Sequence, residues 1–229
     1  MAEPSEALLS TLAERAAPAH AALVVVDVQN DFVAENGFYH RVGSDIATVQ
    51  RIMPPLERLI AAARAAGVLV VFIQAIYDAP YVSAPMRERN RRRKAEMPRC
   101  ITGTWGADFH RVKPAPGEPV VIKHRYSAFT NPELDKLLKA RGIRSLLLTG
   151  VATDVCVEST GRDGYFIDYY VAMVGDCCAA GSQSDHQGAL DRFARDYGIV
   201  ANSSDIIATW QGDGASVEPR HAAAAPERV

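Results

Sequence analysis

Six short runs that are apolar on both faces, separated by stretches with helical periodicity, constrain this chain more than any other feature. They are Leu23-Val24-Val25-Val26, Val68 to Ile73, Val120-Val121-Ile122, Leu146-Leu147-Leu148, Tyr169 to Val174 and Ile199-Val200. A strand with one wet face alternates apolar and polar residues. These runs do not, so both of their faces must be covered, as in a parallel sheet between layers of helix. The intervening segments have helix punctuation. From Pro54 the positions Leu56, Leu59, Ile60 and Ala63 recur at helical spacing, and Gly67 suits the left-handed residue after the last turn. Asn131-Pro132 reads as an N-cap and first-turn proline ahead of Leu134, Leu137 and Leu138, with Gly142 as the stop. Asp185 is the expected cap of a helix running through Ala189, Phe193 and Tyr197 to Gly198. The expected fold is α/β and doubly wound, with a mainly parallel six-stranded sheet and helices on both faces.

At 229 residues the chain suits one domain, placed at 20–211 after an N-terminal extension (1–19) and before a tail (212–229) expected to be disordered. Residues 78–119 form a long connection of the kind that serves as a lid or subunit contact. Its basic run, Arg87 to Lys94, is short, single and without interleaved aromatics, so it reads as a solvated face. The net charge of −2 gives no general attraction to nucleic acid or anionic membrane. No apolar run is long enough to span a bilayer, and the first twenty residues lack a signal-peptide pattern. Cys100, Cys156, Cys177 and Cys178 have no zinc spacing and no C-x-x-C pattern. Reduced thiols in a cytoplasm are expected, with Cys177 and Cys178 structural.

Ligands of open parallel sheets bind beyond the carboxyl ends of the strands. There the first run ends in Asp27, the third in Lys123, and the fourth leads into Gly150-Val151-Ala152-Thr153-Asp154-Val155-Cys156. Each has an ordinary reading alone, as a turn cap, a solvated cation and a small core residue. Together they deliver an acid, a cation and a thiol to one edge. Thr153 or Asp154 is expected to cap a helix holding Cys156 in its first turn, where the helix dipole favours a thiolate and free N–H groups can receive an oxyanion.

Four stretches resemble the isochorismatase-like cysteine hydrolases, a family that includes nicotinamidases, N-carbamoylsarcosine amidases, ureidoacrylate amidohydrolases and biuret hydrolases. They are Leu-Val-Val-Val-Asp27-Val-Gln29-Asn-Asp31-Phe32, Val-Ile-Lys123-His-Arg-Tyr126-Ser-Ala-Phe129, Thr-Gly-Val151-Ala152-Thr-Asp154-Val-Cys156-Val-Glu-Ser-Thr and Gly175-Asp176-Cys177-Cys178-Ala179. The resemblance spans about residues 20–210. It implies an Asp27–Lys123–Cys156 triad, a cis peptide between Val151 and Ala152, and an oxyanion hole from the Ala152 and Cys156 N–H groups. It implies hydrolysis of a C–N bond in a small amide or ureide through a thioester on Cys156. Isochorismatases proper cleave a vinyl ether and lack this cysteine. Nicotinamidases of the family carry Asp-x-His and a further His after the second strand. Here that region reads Tyr77-Asp78-Ala79-Pro80 with no His before His110, so no metal and no other cofactor is expected.

Substrate contacts are expected from Gln29, Phe32, Trp105, Arg125 and Tyr126. Gln29 stands close enough to orient Asp27 or a ureide nitrogen, and Arg125 suits a carboxylate anchor. Phe32, Tyr126 and Trp105 have core, lid or interface packing as their alternative. The Lys123 stretch looks most like ureidoacrylate amidohydrolases, and Asp-Cys-Cys-Ala more like biuret hydrolases. The resemblance also implies a homo-oligomer, dimer or tetramer. The competing readings are a nicotinamidase-like carboxamide hydrolase, a non-catalytic oligomeric binding protein, and a redox protein linking Cys156 to Cys177 or Cys178.

Overall fold

In the computed structural model, residues 7–212 are described. Strands β1 (Ala21–Val26), β2 (Leu69–Ala75), β3 (Val120–Lys123), β4 (Ser145–Val151), β5 (Tyr170–Ala179) and β6 (Ile199–Ala201) form one sheet in the order β3-β2-β1-β4-β5-β6. Every neighbouring pair is parallel. The strand direction of growth reverses between β1 and β4, which opens a crevice at their carboxyl ends.

The helices are α1 (Leu12–Ala16), α2 (Asn30–Val33), α3 (Phe38–Arg41), α4 (Ile46–Gln50), α5 (Met53–Ala65), α6 (Ala84–Arg92), α7 (Pro132–Ala140), α8 (Glu158–Phe166), α9 (Gln183–Asp196) and α10 (Ser203–Gln211). Leu23 and Val25 of β1 pack with Leu12, Met53, Leu56, Leu59, Ile60 and Ile206, whereas Ala22, Val24 and Val26 pack with Leu134, Leu138 and Phe193. Thus α1, α5 and α10 cover one face, and α7 and α9 help cover the other. Strand alternation sends Cys177 to the first layer and Cys178 to the second, both as free buried thiols. A disulfide partnership between these two neighbours has no support in that geometry.

Several boundaries differ from the sequence expectation. Strand β5 runs on to Ala179 because its pairing with β4 shifts register between Leu148 and Gly150, and Asp176 from this stretch accepts the Ser203 N–H at the start of α10. The cap of α9 is Ser182, whose hydroxyl accepts the Asp185 N–H, rather than Asp185 itself. Asn131 caps α7 through the Glu133 N–H, as its pairing with Pro132 predicts. Part of the supposed extension belongs to the core: Leu12 and Ala16 are buried, and Trp210 donates its indole N–H to the Ala16 carbonyl at 2.7 Å. The tail expectation concerns residues that, beyond Gly212, lie outside those described.

One glycine is required by the architecture of the crevice. Gly150 has φ +107°, and a Cβ there would overlap the Val26 carbonyl oxygen of the adjacent strand. Gly142 also has positive φ but faces open space. Gly150→Ala is therefore expected to cost more than about 3 kcal/mol, and Gly142→Ala about 1–2 kcal/mol, in urea unfolding. Equal losses for the two variants would contradict this account of Gly150.

Candidate active site

Strand β1 ends at Val26 and the chain turns sharply at Asp27, which has φ +53° and donates its N–H to the Ile73 carbonyl. That left-handed conformation is tolerated by Asp better than by most residues, and strain of this kind clusters at functional sites. Lys123, two strands away at the end of β3, reaches back over the end of β2. Its ammonium lies 2.7 Å from Asp27 Oδ2, 2.9 Å from the Arg125 carbonyl oxygen and 3.4 Å from Cys156 Sγ. The ammonium thus donates two hydrogen bonds, to the Arg125 carbonyl and the Cys156 sulfur, and forms an ion pair with Asp27. Asp27 and Lys123 side chains are both fully buried. Asp27 relies on that ion pair alone, since neither carboxylate oxygen receives a well-directed hydrogen bond among the described residues.

Cys156 is held differently from the sequence expectation. Residues Thr153–Val157 form one wide π turn that leads into α8, with the Val155 and Val157 N–H groups donating to the Ala152 carbonyl. Single π turns within helices are frequent at functional sites. Neither Thr153 nor Asp154 caps it: Ala152 occupies that position, and the Thr153 hydroxyl pairs with His186 Nδ1 at 2.8 Å. The Val151–Ala152 peptide is cis.

Burial dominates the proton equilibria. It raises the Asp27 pKa above the ordinary carboxylate value, although Lys123 pulls the other way. Burial alone would lower Lys123, but Asp27 and then Cys156 hold it above its usual value. The Cys156 thiol is pushed up to about 12, by burial first; Lys123 opposes this and Asp27 adds to it. A resting thiolate, expected from the helix dipole, is therefore overruled. At neutral pH the thiol is thus neutral and the Lys123 amine charged.

The remaining expected contacts divide. Gln29 is fully buried and committed to backbone: Nε2 donates to the Ala75 and Ala107 carbonyls, and Oε1 accepts the Ala75 N–H. It orients neither Asp27 nor a ligand in this arrangement. Arg125 is exposed, with Nη1 donating to the Tyr81 and His124 carbonyls on the rim of a cleft of about 680 Å³ that also reaches Lys123. Phe32 is buried against Tyr39, with ring centroids 5.1 Å apart. Tyr126 is half-buried under the Arg89 guanidinium, 5.7 Å from its ring. Trp105 remains 52% exposed on a short 3₁₀ turn whose carbonyl accepts from Asn30. Among the described residues no cluster of His, Cys, Asp or Glu has the makings of a metal site.

Three residues near this site escaped the sequence reading. Tyr39 and Tyr77 both have raised pKa values, through burial first and then the charges of Cys156 and Asp27. The third, Arg99, lies between the Phe38 and Tyr77 rings, 5.1 Å from each. Only its position just before Cys100, apart from the basic run, distinguishes Arg99 in sequence.

Residues 21–205 match the family model described as the isochorismatase domain. The chain belongs to that family. It is 37% identical over 204 residues to the ureidoacrylate amidohydrolase RutB of Enterobacter sp. (strain 638), covering 83% of this chain and 89% of the relative. The enzyme of the same name from Serratia proteamaculans (strain 568) is 38% identical over 207 residues, covering 84% of each. Among solved structures, a cysteine hydrolase from Pseudomonas syringae pv. phaseolicola 1448A superposes with a TM-score of 0.75 at 26% identity, covering 86% of this chain and 94% of that one. N-carbamoylsarcosine amidase from Thermoplasma acidophilum gives 0.66 at 26%, covering 80% and 96%.

Removing the ammonium tests the electrostatic description of the site. Lys123→Met leaves the Asp27 carboxylate buried without a counter-charge, at an expected cost of about 3–5 kcal/mol in urea unfolding at pH 8. With Lys123 gone, the folded Asp27 pKa rises further above its unfolded value. The folded state then binds more protons, so the deficit shrinks as pH falls toward 5. A deficit independent of pH would contradict the pairing.

Proposed function

We propose that this protein is a metal-independent cysteine amidohydrolase that cleaves the C–N bond of a small ureide, with Asp27, Lys123 and Cys156 as its catalytic residues. The observation that carries the reading is the Lys123 ammonium, 2.7 Å from Asp27 and 3.4 Å from Cys156, in a fully buried setting. Relatives named for ureidoacrylate hydrolysis support the ureide class.

The chemistry follows from the proton equilibria. A thiol held near 12 is a poor nucleophile until a base takes its proton, and a buried carboxylate with raised pKa is a stronger base than one in water. As Sγ attacks the ureide carbonyl carbon, Asp27 accepts the thiol proton and the C=O electron pair moves onto oxygen. The Ala152 and Cys156 N–H groups receive that oxyanion. Loss of one such donor typically costs about 10²–10³ in rate. On collapse the C–N bond to the substituted nitrogen breaks, Asp27 returns the proton to that nitrogen, and a carbamoyl group remains on sulfur. Water, activated by Asp27, then releases carbamate, which decomposes to ammonia and carbon dioxide. Lys123 stays charged throughout and keeps Asp27 ionised between proton transfers.

The exposed apolar side chains Val120 and Ile122 on edge strand β3, with Phe166 and Ile167 at the end of α8, support assembly as a homo-oligomer. Among the described residues, no helix is long and apolar enough to cross a membrane.

Ammonia release from a panel of ureides and small amides, with mass spectrometry for an adduct on the Cys156 peptide, tests the reaction. Cys156→Ala is expected to abolish both signals, and ammonia release unchanged by it would falsify the nucleophile. The acid limb of kcat/KM is expected above the usual carboxylate range. Activity should fall as pH drops through the raised Asp27 pKa, because the protonated acid cannot accept the thiol proton. A limb at or below pH 4 would remove Asp27 from that role.

A further inference from the structure

Arg99 is a guanidinium in an unusual position. It is only 9% exposed, yet among the described residues it forms no ion pair with a carboxylate. Its one hydrogen bond runs from Nη2 to Asn90 Oδ1 at 3.3 Å, and its faces meet the rings of Phe38 and Tyr77. Buried arginines are normally neutralised, because taking an unpaired charge out of water is costly. Two carboxylates in this region, Asp31 and Glu96, are engaged elsewhere. Asp31 accepts the Phe38 and Cys100 N–H groups and lies 3.6 Å from Arg41, and Glu96 lies 3.7 Å from Arg91. The cavity of about 350 Å³ beside Arg99 is also lined by Arg87, Arg91 and Glu96, so its charged groups are three cations and one anion.

Tyr77 lines this cavity and also feels the charges of Cys156 and Asp27. Its ring lies under Arg99. Tyr39 likewise feels Cys156, Asp27 and Arg99. Neither phenol hydroxyl forms a hydrogen bond within the described protein, so both donors are available to a ligand.

We propose that Arg99 determines specificity by anchoring a carboxylate on the substrate, with the Tyr39 and Tyr77 hydroxyls completing the anion site. The substrate is then a ureide that also carries a carboxylate. The anchor is Arg99 rather than Arg125, whose Nη1 already serves two backbone carbonyls in an exposed position. A planar guanidinium offers a carboxylate two parallel hydrogen bonds, which an ammonium does not. This inference deepens the ureide-hydrolase reading of the same site and rests on it for the identity of the reacting carbon.

The test separates binding from turnover. In the Cys156→Ala background, calorimetry should detect 3-ureidoacrylate, and adding Arg99→Gln should weaken that binding by about 30-fold or more. Binding of the neutral 3-ureidoacrylamide should change less than about threefold, and Arg99→Lys should fall between wild type and Arg99→Gln. In the Cys156-containing enzyme the loss should appear mainly in KM for the acid, with kcat for the neutral amide retained. Melting curves for each variant identify unfolding, and the Lys variant keeps the charge where the Gln variant is unstable. Equal losses for acid and neutral amide, or no binding of the acid to Cys156→Ala, would overturn the assignment. Selective, Arg99-dependent binding without turnover would sustain Arg99 and sink the hydrolase reading instead.

Discussion

The ion pair between Asp27 and Lys123 is the interaction around which this crevice is organised. Two opposite charges with no solvent exposure are tolerated only because each neutralises the other and because the ammonium also reaches the Arg125 carbonyl and the Cys156 sulfur. That arrangement requires the β3-β2-β1-β4 order, since it places the ends of β1 and β3 one strand apart. It also requires Gly150, where the backbone of β4 comes too close to Val26 for any side chain.

Burial gives this site a different chemical logic from that of an exposed reactive cysteine. A thiol near a helix start in water would ionise readily, and such a group would react with many electrophiles. Here desolvation outweighs the local dipole, and the sulfur holds its proton. The carboxylate is itself made more basic by the same desolvation. The pKa values of the thiol and the carboxylate are thus both raised by one physical cause.

Much of this was legible in sequence because it depends on local pattern. Runs apolar on both faces identified all six strands, though edge strand β3 leaves Val120 and Ile122 exposed on one face, and the polar residue at or after the strand ends identified Asp27, Lys123 and the Cys156 loop. What depended on distant partners was not legible. Gln29 looks like a substrate contact until the Ala75 and Ala107 backbone groups are seen around it. The short helices α2, α3 and α4 follow no strong periodicity; α2 packs against the other two, and α4 against β5. Arg99 could not be told from its basic neighbours, because its isolation from carboxylates is a property of the packed structure.

The consecutive residues Gln29, Asn30 and Asp31 share a feature whose consequence reaches beyond the site. Gln29 grips the Ala107 carbonyl, Asn30 the Trp105 carbonyl, and Asp31 the Cys100 N–H, with Gly106 lying directly on the Asp31 carboxylate. One short stretch following Asp27 thereby fastens one half of the long connection at three points. The other half, from Ala79 to Pro98, is largely surface, and much of the charged cavity wall lies there. The molecule therefore pairs a tightly fastened segment with a largely exposed one. Insertions or exchanges between Ala79 and Pro98 can alter that cavity wall while Asp27, Lys123 and Cys156 keep their positions.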